Sequence, residues 1–402
     1  MTRSTEHVER PKVIDYGVFH DEVLDGLLSG DRGVLAANAA KGLRPLVLSI
    51  GDRQWTYTAD ADGLHVTEGS AGDIWVAVNL SPEAWSDLAT SMRTVIALHL
   101  AGELEITVGS FGRIGRWEGA LRALYLGIPA YDPERVELLN DEGTALDITQ
   151  TFSLDDDDAE MAAFLATTGY LHVTGVLNAD EIAVLVADTE RISEEVSSDD
   201  PLTWWATRPD DTEVLCRVIY AQRVSQLMGD LVDDPRMRRL ADLLGSPVDA
   251  YSDRMDGPTL LIKPAGELRG LSNLPWHQDC GLGAHPITCP SVALGVQITG
   301  SSAATGRLEV IAGSHGQSVP PGTSEDTMDR WPKVAVDTKA GDVTVHIQDV
   351  LHSSPPPTDE GGRATLYLSY YPPGLEKLIG PGQAINDLIR GRQGEADAVR
   401  GR

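Results

Sequence analysis

Between Thr259 and Tyr371 the chain is a succession of short apolar segments: Thr259–Lys263, Ser291–Thr299, Arg307–Ile311, Lys333–Asp337, Asp342–Ile347 and Ala364–Tyr371. Each has the length of a strand, is rich in β-branched residues, and is bounded by turns containing Gly or Pro. No helical periodicity intervenes. Strands strung together in this way bury their apolar faces by stacking or by closing, so a sandwich-like or closed β architecture such as a jelly roll is expected.

Upstream the pattern is mixed. A helical piece, Val23–Ala40, is interrupted by Gly30 and Gly33 and gives way to short segments at Leu46–Ile50, Trp55–Ala59, Leu64–Glu68 and Ile74–Leu80. The Gly-Asp and Asp-Gly turns between them predict an antiparallel meander. Ser81 followed by Pro82 is a helix start, expected to open a helix through about His99. A strand at Glu103–Val108 and a helix at Trp117–Leu126 complete an α+β unit of antiparallel sheet and helices, assigned to residues 1–130. Residues 131–150 are an acidic, turn-rich linker. The Asp155–Asp158 run suits the start of a helix at Ala159–Thr167, whose dipole it complements. A second domain is expected over 151–376, opening with a strand at Gly169–Leu177 and helices at Ala179–Val196, capped by Asn178, and about Pro235–Leu244. A short helix near Gly382–Arg390 and a charged tail fill 377–402.

Composition narrows the partners. Of 402 residues, 61 are acidic and 32 are Lys or Arg, a formal charge of −29, which argues against nucleic acid, whose phosphates would be repelled. The three cysteines, Cys216, Cys280 and Cys289, are odd in number and unpaired in spacing, so a reducing, cytoplasmic setting is expected. The polar Met1–Arg10 stretch and the lack of any long apolar run predict neither signal peptide nor membrane span.

The chemistry-bearing stretch is Leu274-Pro275-Trp276-His277-Gln278-Asp279. In extended backbone, residues two apart face the same way, so His277 and Asp279 present one nitrogen and one anionic oxygen together. A second His would complete the two-His, one-carboxylate facial set of non-heme Fe(II) oxygenases. Two residues compete for that place: His346, within the segment that follows Gly341-Asp342, and His352, where that β segment runs into Ser353-Ser354-Pro355. Arg363 begins the next strand, and a guanidinium clamps a carboxylate with two parallel hydrogen bonds and does not lose its charge. His285 lies in the loop after the motif. Trp204 and Trp205 form a pair in a loop, suited to lining a lid or to plain packing.

Taken together, Gly169-Tyr-Leu-His-Val-Thr-Gly-Val-Leu177, Leu261-Ile-Lys-Pro264, Trp276-His-Gln-Asp279, Gly306-Arg-Leu-Glu-Val-Ile-Ala-Gly-Ser-His315, Gly341-Asp342, His352-Ser-Ser354 and Arg363 resemble the phytanoyl-CoA dioxygenase family of Fe(II)/2-oxoglutarate oxygenases, in order and spacing, over residues 150 to 375. The resemblance implies a cupin-like double-stranded β-helix with flanking helices. It also implies iron on His277, Asp279 and His352 rather than His346, and 2-oxoglutarate on Arg363, with Gln278 and Ser354 as lesser contacts. Some members carry a Lys on an early strand near the oxoglutarate, and Tyr220 falls at that place here. Cys280-Gly281-Leu282 stands where an aromatic often follows the Asp. Related halogenases replace the carboxylate, so Asp279 favours hydroxylation or desaturation, with O2 as co-substrate and succinate and CO2 as products. His346, His285, Trp204 and Trp205 are candidates to face the substrate, expected to be a small apolar molecule such as a lipid, steroid, terpenoid or other secondary metabolite. The alternatives are a carrier with a degenerate oxygenase scaffold and a metal-dependent hydrolase or isomerase on the same barrel.

Residues 40 to 128 are similar to the sterol-carrier-protein fold in the order Trp55-Thr-Tyr-Thr, Asp62-Gly-Leu-His-Val, Ile74–Leu80, Ser81-Pro-Glu-Ala-Trp85 and Gly102-Glu-Leu-Glu-Ile106. That likeness implies a sheet-and-helix layer, expected to serve as a scaffold or homodimerisation module, with a tunnel for an apolar ligand as the alternative.

Overall fold

Two large hydrophobic cores organise the chain, one built from residues 19–125 and one from residues 152–370. The computed structural model describes residues 11–70, 72–251, 255–266, 274–279, 290–319, 323–358 and 362–375. His285, Cys280, Cys289 and the helix expected near Gly382–Arg390 lie outside the described residues. Among the described residues no helix is long and apolar enough to cross a membrane.

The first core lies on a five-stranded sheet of β1 (Leu46–Ile50), β2 (Arg53–Ala59), β3 (Leu64–Glu68), β4 (Val76–Leu80) and β5 (Leu104–Val108), in the order β3-β2-β1-β4-β5. The expected meander is corrected at one point. The chain crosses over after β3, so that β4 pairs with β1 in parallel, Leu46 opposite Val76. The crossing puts the two most apolar strands side by side in the middle of the sheet, where Leu46, Leu48, Val76 and Val78 are fully buried. The single helix expected from Ser81 to His99 is two, Pro82–Ala89 and Val95–Leu100, each capped by its own hydroxyl, Ser81 and Thr94. The break follows Ser91, whose φ of +60° lies outside the helical region. Trp85, Trp117 and Tyr57 fill the space between sheet and helices.

The linker is strapped to the second unit. The Tyr131 N–H donates to the Ser318 carbonyl (2.8 Å), and the Tyr131 ring packs with Ile311, Met328 and Leu351.

The second unit is a mixed α/β assembly with antiparallel sheets. Its strands are β6 (Tyr170–Val173), β7 (Thr203–Thr207), β8 (Glu213–Val218), β9 (Asp249–Ala250), β10 (Thr259–Lys263), β11 (Leu274–His277), β12 (Val292–Gln297), β13 (Leu308–Ile311), β14 (Lys333–Val336), β15 (Val343–Ile347), β16 (His352–Ser354) and β17 (Arg363–Tyr371). Eight form a sheet ordered β6-β15-β12-β17-β10-β8-β7, with β9 on β17; four form a second sheet ordered β11-β16-β13-β14. Three expectations change here. Trp204 and Trp205 sit on β7, hydrogen-bonded to β8, and not in a loop; paired aromatics suit a pleated surface. His352 does not end the strand that starts after Asp342: β15 stops at Ile347, and His352 opens β16 in the other sheet. A short helix, Glu325–Met328, interrupts the succession of strands.

Alternation along the strands sorts their side chains. Val292, Leu294 and Val296 of β12 and Ala364, Leu366, Leu368 and Tyr370 of β17 join the large core with Ile182, Leu185, Met237 and Leu240 from the covering helices. The alternate residues, Gly295 and Gln297, then Arg363, Thr365 and Tyr367, with Thr344 and His346 of β15, occupy the opposite face. Hydrogen bonds along that face run from Arg363 to Thr365, from Thr365 to Gln297 and from Gln297 to Thr344.

Candidate metal centre

His277 closes β11 and His352 opens β16, directly opposite each other in the antiparallel register. Their rings lie 4.2 Å apart between centroids. Asp279, two residues beyond His277, returns to the same side. Its Oδ1 is 3.4 Å from His277 Nε2 and its Oδ2 is 3.9 Å from His352 Nε2. One donor atom from each of the three lies within 4.8 Å of the others.

Both imidazoles are fixed in the tautomer a metal needs. His277 Nδ1–H donates to the Pro275 carbonyl (2.7 Å) and His352 Nδ1–H to the Val350 carbonyl (3.0 Å), which leaves both Nε2 lone pairs facing the cluster. Burial pushes the His352 pKa down to about 3, and His277 and His346 add to the shift, so the ring stays a neutral donor. Burial works against ionisation of Asp279, but His352, His277 and His346 outweigh it and hold the carboxyl well below its ordinary range. Two imidazoles and an ionised carboxylate are the donor set that suits a divalent iron.

A second cluster lies along the same face. Arg363 is 4 % exposed and donates through Nε to the Gly306 carbonyl (2.8 Å), through Nη2 to Ser354 Oγ (2.9 Å) and through Nη1 to Thr365 Oγ1. Lys263, directly opposite Arg363 in the β10–β17 register, is 1 % exposed and donates to Ser354 Oγ (2.8 Å) and to the Ser354 and Pro355 carbonyls. Among the described residues no carboxylate pairs with either cation.

The sequence-predicted residues fall into groups. His277, Asp279, His352, Arg363 and Ser354 converge. His346 stands beside the triad, 3.5 Å from Asp279 through Nε2. Gln278 turns away, its amide donating to the backbone carbonyls of Asp349 and Gln317. Tyr220 lies past the end of β8 with a φ of +53°, its ring under Arg223. The cation on this strand is Arg217, three residues earlier: it stacks over Trp204 at 5.0 Å. Burial lowers its pKa, while Asp256 and then Asp279 favour its charge. Among the described residues no hydrogen bond or ion pair holds Arg217, and the buried Trp204 Nε1 has no partner either. Trp205 faces the other way, toward the large core. Lys263 and Arg217 were missed by the sequence reading, although each is the lone cation of its strand, Thr-Leu-Leu-Ile-Lys and Glu-Val-Leu-Cys-Arg-Val.

The model of the phytanoyl-CoA dioxygenase (PhyH) family matches residues 165–365, a stretch that contains the triad, Lys263 and Arg363. The chain belongs to this family. A search of curated proteins finds no match. Among solved structures, AviO1 from Streptomyces viridochromogenes Tue57 is 26 % identical, with 54 % of this chain and 95 % of that one covered and a TM-score of 0.43. The non-heme alpha ketoglutarate dependent epimerase SnoN from nogalamycin biosynthesis is 25 % identical over 52 % of this chain and 81 % of its own, TM-score 0.42. The apoform of EctD from S. alaskensis is 23 % identical over 58 % of this chain and 85 % of its own, TM-score 0.46.

Proposed function

We propose that this member of the family is an Fe(II)- and 2-oxoglutarate-dependent oxygenase that hydroxylates or desaturates a C–H bond of a small organic molecule. The observation that carries the reading is the pairing, on one face of one unit, of a two-His, one-carboxylate cluster with a buried pair of cations that has no carboxylate partner among the described residues. The first suits iron; the second suits a dicarboxylate. In this reading the two sheets are the halves of a double-stranded β-helix spanning residues 151–376, and residues 1–130 form an accessory domain.

His277, Asp279 and His352 would hold the metal, which when bound supplies the oxygen chemistry. Arg363, braced by Gly306 and Ser354, binds the far carboxylate of 2-oxoglutarate, and Lys263 adds charge behind it. Arg217, whose charge Asp256 and Asp279 favour, would meet the keto-acid end. The sheet's role is register: it keeps cation pair, metal and substrate wall on fixed strands, so that co-substrate bound at one end presents its reactive end at the other. Gln278 is held on the Gln317 and Asp349 carbonyls rather than touching the co-substrate. Trp204, Arg217 and His346 give the substrate wall polar groups as well as apolar surface, which favours a substrate bearing a polar group over a pure hydrocarbon.

The test is formation of succinate from 2-oxoglutarate by the full chain supplied with Fe(II) and O2, alone and with panels of lipid, steroid and terpenoid substrates. Succinate that depends on Fe(II) and disappears in Asp279→Ala supports the reading. Tight binding of both iron and 2-oxoglutarate with no succinate under any condition counts against catalysis.

A further inference from the structure

His346 is 1 % exposed, yet among the described residues neither of its ring nitrogens has a partner at full hydrogen-bond geometry. A buried imidazole in that state is unfavourable unless something in the cavity completes it. It has no route outward. β15 lies between β12 and β6, with His346 opposite Ala293 on one side and Tyr170 on the other, and the flanking Val345 and Ile347 hold the strand in the large core. Its ring is therefore committed to the metal side, 4.6 Å from the His352 ring and 6.4 Å from Tyr367. Its Nε2 stands 3.5 Å from Asp279 Oδ2.

Two roles are open to a histidine in that place, and coordination number separates them. A metal held by three side chains would keep room for a chelating keto acid and one further ligand. A fourth protein ligand would remove the last. His346 also stands outside the set whose donor atoms all lie within 4.8 Å of one another. A carboxylate, on the other hand, has a second oxygen, and a free one can swing in and chelate. A ring N–H opposite that oxygen prevents it.

We propose that His346 is a positioning residue of the metal centre: its Nε2–H donates to Asp279 Oδ2 and would keep the carboxylate a single-oxygen ligand. The inference rests on the function proposed above and assigns His346 a place in it beyond the triad.

The experiment measures Mn(II) affinity of the full chain by titration, and thermal unfolding of the metal-free protein, for wild type, His346→Phe, His346→Leu, His346→Gln and His277→Ala. Loss of the donor in the Phe and Leu variants weakens Mn(II) binding about 10- to 100-fold. Gln, which can donate, stays within about threefold of wild type. Cooperative thermal unfolding of the metal-free Phe and Leu variants shows that they fold, so that weaker Mn(II) binding reports the lost donor. A histidine that only packs would leave Mn(II) affinity unchanged in the Phe and Leu variants, and that outcome overturns the proposal. So does loss of binding in the Gln variant as complete as in His277→Ala, which would make His346 a ligand. Wild type that binds no Mn(II) or Fe(II) removes the oxygenase reading itself; wild type that binds while His346→Phe is unchanged removes only this inference.

Discussion

Lys263 and Arg363 face each other across β10 and β17 and both donate to one hydroxyl, Ser354 Oγ, at 2.8 and 2.9 Å. Two like charges held that close, both nearly inaccessible to water, repel each other unless an anion joins them. This is why the pair is read as half of a binding site.

Removing the guanidinium should therefore weaken 2-oxoglutarate. Arg363→Met loses charge-assisted hydrogen bonds worth about 1.5–3 kcal/mol, or roughly 10- to 100-fold in affinity. Arg363→Lys recovers only part of it, since an ammonium cannot reproduce the planar fork. Calorimetric titration of 2-oxoglutarate into the Mn(II) protein measures both.

The second cation makes that affinity pH-dependent. Burial, reinforced by the charge of Arg363, pushes Lys263 down to about 7. Below that pH the pocket carries two positive charges; above it, only one. The dissociation constant for 2-oxoglutarate should rise as pH climbs from 6 to 8.5, and binding near pH 7.5 should take up a proton, seen as a buffer-dependent heat. Lys263→Met flattens the profile. A flat profile in wild type contradicts the assignment.

Gly306 holds the pair in place through its carbonyl, which accepts from Arg363 Nε at 2.8 Å and from Ser354 Oγ at 2.7 Å. Its φ is +74°, and a Cβ there would lie 2.3 Å from the Pro355 carbonyl oxygen and 3.3 Å from Lys263 Nζ. Gly306→Ala should cost about 1–3 kcal/mol of stability from the backbone conformation alone. It should also weaken 2-oxoglutarate binding while leaving Mn(II) affinity near wild type.

The accessory unit has its own pH signature. His20 donates from Nδ1 to the Tyr16 carbonyl (2.7 Å), accepts at Nε2 from Tyr57 Oη (2.9 Å) and stacks on Trp55 at 3.8 Å. Burial lowers its pKa to about 4. The unfolded chain, titrating near 6.5, binds more protons than the folded one between those values, so stability is full above about 6.5 and falls as pH drops toward 4. The loss approaches about 3 kcal/mol, an order-of-magnitude figure. Urea unfolding followed by tryptophan fluorescence at pH 7.5 and 4.5 checks it, and His20→Phe should remove the slope attributable to this group.

What the residues alone disclosed was local. His277 and Asp279 were legible because alternation along a strand is a two-residue rule. The long strands from Thr259 onward were legible for the same reason, to within a residue or two at most ends, whereas β8, β9 and β16 were not. The convergence of Lys263, Arg217 and Arg363 was not, because it depends on which strands become neighbours, and no local pattern states that β10 lies between β8 and β17. His352 was reached through the family motif, while the sequence alone left His346 in competition; the fold now puts both beside Asp279. β7 was hidden by the polar Arg208-Pro209-Asp210-Asp211 turn that follows it. The parallel pairing of β1 and β4 was hidden by turns that read equally well as a meander.

The most direct measurement of the central claim, that the triad and the cation pair serve one ligand-binding site, is an anaerobic titration of 2-oxoglutarate into the Fe(II)-loaded full chain, followed by visible absorption. Chelation of the ion by the keto acid should produce a new band that saturates at one 2-oxoglutarate per chain. The band should be absent in His352→Ala and need at least about tenfold more 2-oxoglutarate in Arg363→Met. Wild type that binds both Fe(II) and 2-oxoglutarate without producing the band, or whose band is unchanged in Arg363→Met, would contradict it.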